Sequence, residues 1–437
     1  MKSRNKIAII GGGFTGLVAA YKLSKAGFDV SIFEKAPCIG GLASGFNIHG
    51  NNLEKTYHHI FKTDKEIISL ARELGVDKKL NWLDSSIGLF LKNKFYAFTT
   101  PFDLMKFSPL SFINRIRAGL VVLFLQRFEN WQEFKEISAY EWMNRYAGNS
   151  VTKIIWEPLL RGKFYKYFDK ISMAWLWARI HIRASSREKG FLREKLGYFI
   201  GGFNIIIYAL EKYLTKNNVQ IFLNSDIKEV LYDKLGIMIK TDNKTFRFAK
   251  LIATVPSPEF AKLIKNNKNL NKEYLDKLNA IKYLGMVSLV FSSTQHLGNF
   301  YWNSIHDLNF PFLIFVNHTK LVDRKHYQGK YIYYVGAYVP DDHDYFRIND
   351  HMIINEWFTY VKKLFPEFKE KNVLEKHLFK FKNAQHIVDL SYENKIPDFQ
   401  TPLKNVYLAN FSQIFPEDRG INLAVREGNR IASIVSC

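Results

Sequence analysis

Cysteine is nearly absent from this chain. Two thiols, Cys38 and Cys437, stand in 437 residues. That is too few for a disulfide-stapled secreted fold, so a reducing, cytoplasmic setting is the default expectation. The chain also lacks any apolar run of about 18 residues, the length a bilayer-crossing helix needs. The opening stretch MKSRNKIAIIGGGFTG holds too short an apolar segment for a signal peptide. Acidic residues are scarce beside basic ones: 41 Asp and Glu against 62 Lys and Arg, a formal net charge of +21. Such an excess favours an anionic partner: nucleic acid, an acidic membrane surface or a phosphorylated substrate. The basic set is 45 Lys and 17 Arg, whereas base and phosphate readers lean on arginine. No nucleic-acid module signature occurs, so nucleic acid is not expected as a partner.

The rest of the composition, 47% hydrophobic and 24% charged, is that of a globular protein, and the length predicts two or three domains. Lys6 to Ile10 reads as a short strand, Gly16 to Ala26 as a helix and Val30 to Phe33 as a second strand, a βαβ unit. Residues 65–200 read as mostly helical and aromatic, with stops at Pro101, Pro109 and Pro158. Strand periods return over 219–256 and, with one helix near 351–364, over 280–400. The tail reads strand, loop, helix. The predicted fold class is α/β: a discontinuous Rossmann-like domain of residues 1–75, 195–275 and 400–437, with an inserted α+β domain. In that insertion 76–194 would be the helical part and 276–399 the sheet part.

Gly11-x-Gly13-x-x-Gly16 lies between the first strand and the helix. Gly11 permits the tight turn, Gly13 lets backbone approach a pyrophosphate, and Gly16 allows close helix–strand packing. Phe14 and Thr15, in the turn before the helix, are further candidates for binding the cofactor, and the helix's free N–H groups and dipole favour an anion. Glu34 ends the second strand, where a carboxylate can accept ribose hydroxyls and disfavours a 2′-phosphate; Lys35 follows it. A dinucleotide is the expected ligand of this unit.

Beyond Glu34 the segment EKAPCIGGLASG carries Gly40-Gly41, followed by Leu42. This resembles the second glycine pair of the FAD-dependent amine oxidase, protoporphyrinogen oxidase and phytoene desaturase superfamily. The resemblance continues in order at YFIGGF (198–203), ATVPSPEF (253–260) and the helix after Gly420. It implies FAD as cofactor, with backbone near Ile227 meeting the adenine. It also implies N–H groups of Ile421 and Asn422 aimed at the flavin's pyrimidine edge. Departures occur too. Cys38 and Leu42 stand where the family often has arginines, and Asn410 stands where it often has an acid; Asn410 would still hydrogen-bond the ribityl or phosphate. Met286 falls near the place of the amine-oxidase lysine, with Lys282 four residues away.

The segment EKTYHHIFKTD (54–64) resembles the histidine segment of UDP-galactopyranose mutases. His59 would then lie beside the flavin, shuttling a proton or bonding a flavin carbonyl; alternatively His58 and His59 cap or line a core turn. No metal site is expected. Residues 151–200 hold eleven Lys and Arg against four Asp and Glu. Within them Lys163, Arg179 and Arg183 are candidates for an anionic part of the substrate, and Arg179 and Arg183 share a helix face; a solvated basic helix is the alternative. Trp175 and Trp177 read as packing. Arg419 would reach substrate or pyrophosphate, or else pair with Asp418 or Glu417. Residues 101–128 read as a buried helix of the insertion or as an interfacial membrane segment; with the net charge, they lead to an expectation of peripheral association with anionic membranes. The expected function is FAD-dependent hydride transfer at a carbon of a small-molecule, lipid-linked or sugar-phosphate substrate. The alternatives are a non-redox flavin mutase and a membrane-recruited flavin protein without turnover.

Overall fold

The computed structural model describes residues 5–185, 194–268 and 270–436. Cys437 and residues 186–193 of the basic stretch lie outside the described residues. A five-stranded sheet forms the base of the molecule, in the order Val406–Leu408, Lys250–Ala253, Lys6–Ile10, Asp29–Phe33, Gln220–Phe222. Every pairing in it is parallel. The strands are apolar almost throughout, as strands covered on both faces must be; Ile7, Ile9, Val30, Ile32 and Leu251 are all buried. The first strand is central, with its sequence neighbour on one side and Lys250–Ala253 on the other. The connections leave in opposite directions, and the crevice past the carboxyl end of such a central strand is where ligands bind in open α/β sheets.

The first helix, Phe14–Lys25, lies on this sheet, and the last helix, Ile421–Ser436, packs along it. Their contact depends on Gly428. A Cβ placed there would sit 2.8 Å from the Thr15 carbonyl oxygen and 2.8 Å from Val18 Cβ.

A second, seven-stranded sheet runs Val373–His386, Tyr283–Ser293, Tyr331–Pro340, Ile314–Asn317, Trp302–Ile305, Ile87–Leu91, Lys94–Ala97. Its last two strands come from the stretch read as helical, and Leu80–Asp84 pairs with Lys195–Phe199. The reason is partly local and partly long-range. Lys92 and Asn93 both adopt positive φ, 50° and 58°, the geometry of a two-residue hairpin turn whose twist matches the flanking strands. Ile87–Leu91 then joins the sheet by a parallel pairing to Trp302–Ile305, a contact more than 200 residues away that local periodicity does not report.

Residues 101–185 are helical as expected. Thr100 accepts from the Asp103 N–H and the Asp103 carboxylate accepts from the Thr100 N–H, a closed capping box that starts Pro101–Lys106. Ser111 caps Phe112–Arg127 by a single bond, its hydroxyl accepting from the Asn114 N–H at 3.4 Å. These two helices form a hairpin, and the second packs on Met173–Ser185. Trp175 and Trp177 are both buried. The Trp177 indole N–H donates to the Phe128 carbonyl at 2.7 Å, so packing is what they do.

Two glycine substitutions test the helix contacts. Gly428→Ala should cost about 1–3 kcal/mol by overpacking, against the usual helix gain. At Gly119 the nearest atom to an added Cβ is Leu104 Cδ2 at 3.9 Å, so Gly119→Ala should gain about 0.4–1 kcal/mol. Denaturant unfolding of the two variants checks the opposite signs.

Candidate dinucleotide and substrate cavity

Gly13 caps the first helix without a side chain, and the Leu17 N–H returns to its carbonyl. The N–H groups of Phe14, Thr15 and Gly16 precede the first intrahelical bond and are free to face an anion. Gly16 is a packing residue: its added Cβ would lie 2.1 Å from the Gly11 carbonyl oxygen. At Gly13 the result is opposite. An added Cβ would meet no atom within 4 Å, because that side of the backbone opens on a cavity. Glu34 is held by the N–H groups of Gly12 at 2.7 Å and Ala36 at 2.8 Å, one on each carboxylate oxygen. Each oxygen keeps a lone pair for a further donor. Lys35 is exposed at the rim, and Ile227 is buried in the wall. The Gly40 N–H donates to the Gly12 carbonyl at 2.8 Å. The left-handed turn at Gly40 and Gly41, φ 109° and 57°, then brings Leu42 to the cavity.

The cavity measures about 1310 Å³. It runs continuously from Glu34, Lys35 and Ile227, past Gly11, Gly13 and Gly41, to the start of the last helix at Gly420, Ile421 and Asn422. Elongated room of that kind, with two helix N-termini and a fixed carboxylate along it, fits a dinucleotide. The Asn422 side-chain oxygen is spent elsewhere: Oδ1 accepts from the N–H groups of Glu66 and Ile67 at 2.9 and 3.1 Å, closing the start of Lys65–Glu73. Its backbone and its amide nitrogen remain for a ligand. Asn410 borders the cavity, but its amide donates to the Val255 carbonyl and Ser257 Oγ while Oδ1 accepts from the N–H and hydroxyl of Ser412. Those four bonds exhaust the group, so the expected side-chain bond to ribityl or phosphate has no donor or acceptor left to make it.

Beyond the last helix the cavity widens into a chamber with a buried charge cluster. Asp418 Oδ2 accepts from Lys163 Nζ and from an Arg179 terminal nitrogen, each at 2.9 Å. Burial alone would raise this carboxyl; Lys163, Arg179 and Arg419 reverse that and hold it at about 2. Its Oδ1 is buried with no hydrogen-bond partner among the described residues. Arg183 sits one turn from Arg179, 3.5 Å from Glu194, with Phe61 under its guanidinium. Arg419 takes neither predicted acid. It donates to Gln385 Oε1 at 3.0 Å and to the Tyr338 hydroxyl at 2.9 Å, while Glu417 pairs with Arg426. Asp418, Tyr338 and Gln385 are the residues sequence reasoning missed as parts of the site. Asp418 lay beside a candidate in PEDRG, while Tyr338 and Gln385 carry no local signal.

His58 and His59 are enclosed by protein yet present an edge to the cavity. His59 Nδ1 lies 3.2 Å from the Tyr301 hydroxyl. Burial first, then the charges of Arg183 and Arg179, push its pKa down to about 3. His58 bonds the Thr56 carbonyl at 2.7 Å and is pushed down to about 4, mainly by burial. Met286 lines the cavity, whereas Lys282 lies over the Tyr167 ring. Behind the histidines, Glu54 is buried and accepts from the Tyr198 hydroxyl and the Phe203 N–H. Burial raises its carboxyl to about 7.

A family model described as "Flavin containing amine oxidoreductase" matches residues 14–435. Zeta-carotene desaturase of Zea mays is 24% identical over 285 residues, covering 59% of this chain and 48% of that protein. The chain thus spans about half the length of this curated relative. Two solved structures share the fold. A protein assigned as a protoporphyrinogen oxidase from Exiguobacterium sp. 255-15 superposes with a TM-score of 0.79 at 14% identity, covering 99% of each chain. Reduced UDP-galactopyranose mutase superposes with a TM-score of 0.77 at 15% identity, covering 99% of this chain and 95% of that one.

Two tests follow from the geometry. Gly13→Val puts an isopropyl group where the protein has no atom, so the variant should fold with an unchanged melting temperature in its FAD-free form yet retain no FAD. Flavin absorbance per mole of protein, beside the melting curve, reads both. Glu54 gives a pH test. Its native pKa of about 7 lies above the ordinary 4.5, so between those values the folded chain keeps a proton that the unfolded chain loses. Stability is therefore full below that window and falls as pH rises through it. Glu54→Gln, neutral at every pH, should show a smaller loss of melting temperature between about pH 5 and 8 than the parent.

Proposed function

The chain belongs to the flavin-containing amine oxidoreductase family, and on that premise we propose that it is an FAD-dependent oxidoreductase that acts on a small molecule with an apolar body and an anionic end. One observation carries the reading: Lys163, Arg179, Arg183 and Arg419 all line the chamber beyond the last helix, where, among the described residues, Asp418 pairs with Lys163 and Arg179 and Glu194 lies 3.5 Å from Arg183. An ammonium substrate would enter a site of its own sign. A phosphate or carboxylate would enter a complementary one, in surroundings where charge is weakly screened. The wall on the other side is apolar, with Leu89, Phe98, Ile155 and Leu159. That combination suits a lipid-linked or prenyl-type phosphate.

The residues present fit FAD. Glu34 would hold the ribose, the N–H groups of Phe14 and Thr15 the pyrophosphate, and the N–H groups of Ile421 and Asn422 the far ring edge. FAD, when bound, supplies hydride uptake or return at a substrate carbon. The chain's own part is to bind, orient and keep the site dry. Arg179 and Arg183 hold the anionic end. Asp418 is pinned by two cations and offers its unpartnered Oδ1 to a substrate hydroxyl or N–H. His59 stays neutral at physiological pH, since a proton on it would cost both burial and repulsion from two arginines. It therefore serves as a neutral hydrogen-bonding group held by Tyr301 rather than as a proton shuttle.

A second reading is non-redox chemistry of the mutase type. It draws on the His-Ile-Phe run beside a cation cluster, which also suits a sugar diphosphate. Net electron transfer separates the two. In anaerobic mixing, an anionic isoprenoid or lipid should bleach the flavin band and simple amines should not; bleaching by amines alone would overturn the proposal. Turnover without any bleaching, requiring pre-reduced enzyme, would favour the mutase.

Three variants test the roles. His59→Ala should keep FAD and slow turnover by about 10², the scale for removing one positioned hydrogen-bonding group. The parent's rate profile should show no inflection near 6.5 from this imidazole. Arg179→Ala should mainly raise KM. Arg183→Lys should restore little, because an ammonium lacks the planar fork.

A further inference from the structure

The hairpin Pro101–Lys106 and Phe112–Arg127 presents an unusual surface. Phe102, Phe112, Ile113, Ile116, Leu120 and Phe124 are all exposed, Ile113 to 77% and Phe112 and Leu120 to more than 60%. Met105 and Leu123 extend the same area. The helix Phe112–Arg127 is apolar on two sides. Ala118 and Leu125 are buried in the body of the protein, while the outward side has no partner among the described residues. Soluble monomers rarely expose contiguous apolar area of this extent unless something covers it.

We infer that this hairpin is the docking face for an anionic lipid bilayer, with its apolar side chains entering the headgroup boundary. Charge decides the occupant. Lys106, Arg115, Arg117 and Arg127 ring the apolar residues. Arg115 is anchored on the carbonyls of Met105 and Leu110, and Arg117 on those of Arg145 and Tyr146. These bonds fix the guanidinium groups at the face, and no acid among the described residues pairs with them. The single acid of the segment, Asp103, is consumed by the capping box. A second copy of this chain would bring the same cations against themselves, at a net +21 on each partner. An acidic membrane neutralises them and accepts the apolar side chains together. No helix among the described residues is long and apolar enough to cross a membrane, so docking is interfacial.

The position of the hairpin gives docking a use. The inward side of Phe112–Arg127 contributes Val122 and Gln126 to the cavity wall, beside Phe98 and Leu89. The same helix packs on Met173–Ser185, which carries Arg179 and Arg183. One layer of helix therefore separates the docked bilayer from the chamber, and an apolar substrate in the membrane reaches it along the apolar wall. This substrate route rests on the flavin-site reading above; the docking does not.

The test is co-sedimentation of the FAD-loaded full chain with vesicles of phosphatidylglycerol and phosphatidylcholine, and with vesicles of phosphatidylcholine alone. The parent should bind the acidic vesicles and lose affinity as salt rises. Ile113→Asp with Leu120→Asp, both exposed positions, should weaken binding about tenfold or more and leave FAD content and melting temperature unchanged. Lys106→Glu with Arg127→Glu should remove most of the salt-sensitive part. Equal binding to neutral vesicles, no binding to acidic ones, or undiminished binding by the Asp variant would overturn the proposal. So would a dimer in sedimentation velocity that the Asp variant dissociates, since a second copy would then cover the face. A preparation that lacks FAD yet still binds acidic vesicles would sink the flavin reading and leave the docking standing.

Discussion

Two helices must end at one cavity, and the close approach at Gly428 is what lets them. The first helix cannot shift away from the sheet without losing the Gly16 contact with the Gly11 carbonyl. The last helix reaches it only because position 428 has no side chain. With the pair locked, both N-termini present free N–H groups to the same elongated space. Neither terminus carries a charged side chain at its start, so the anion-binding character comes from backbone and dipole, which need no reorganisation when a ligand arrives. The second sheet and the helical insertion form the far walls of a space this contact defines.

Electrostatics shape the other end. Asp418 is buried, and a lone carboxylate there would be neutral or excluded. Two cations within 2.9 Å and a third beside it keep it ionised. Those cations come from distant parts of the chain: Lys163 from one helix, Arg179 from another, Arg419 from the loop before the last helix. Removing the acid would leave buried positive charges uncompensated, a change that costs far more than the pair contributes. The cluster thus fixes the loop 415–420 and the arginine helix to each other. It remains cation-rich after doing so, which is why it suits an anion.

The dinucleotide end was legible because its signals are local. Gly11, Gly13, Gly16 and Glu34 lie within 24 residues, and each has a steric or hydrogen-bonding reason visible in the order of residues alone. Arg179 and Arg183 were legible by helical spacing. What escaped depends on contacts across the chain. Arg419 meets Gln385 and Tyr338 through the second sheet, Asn410 turns inward to close its own loop, and Ile87–Leu91 is a strand because of Trp302–Ile305. The hairpin at 101–127 shows the limit most plainly. Its apolar residues read equally well as core, since hydropathy records that a side chain avoids water and not which neighbour, if any, covers it. Only the fold shows that one side is left bare.

The central sheet is assembled from strands near residues 6, 30, 220, 250 and 406, and the last helix ends it. On the ribosome these arrive in that order, at roughly 5–20 residues per second. The first strand–helix–strand unit therefore emerges tens of seconds before the strand and helix that cover it. Throughout that interval Val18 has no last helix to lie against, and half of the cofactor's cradle does not exist. Flavin loading is thereby tied to synthesis of the last helix. Loss of Ile421–Ser436 would remove the helix that covers the first-made unit.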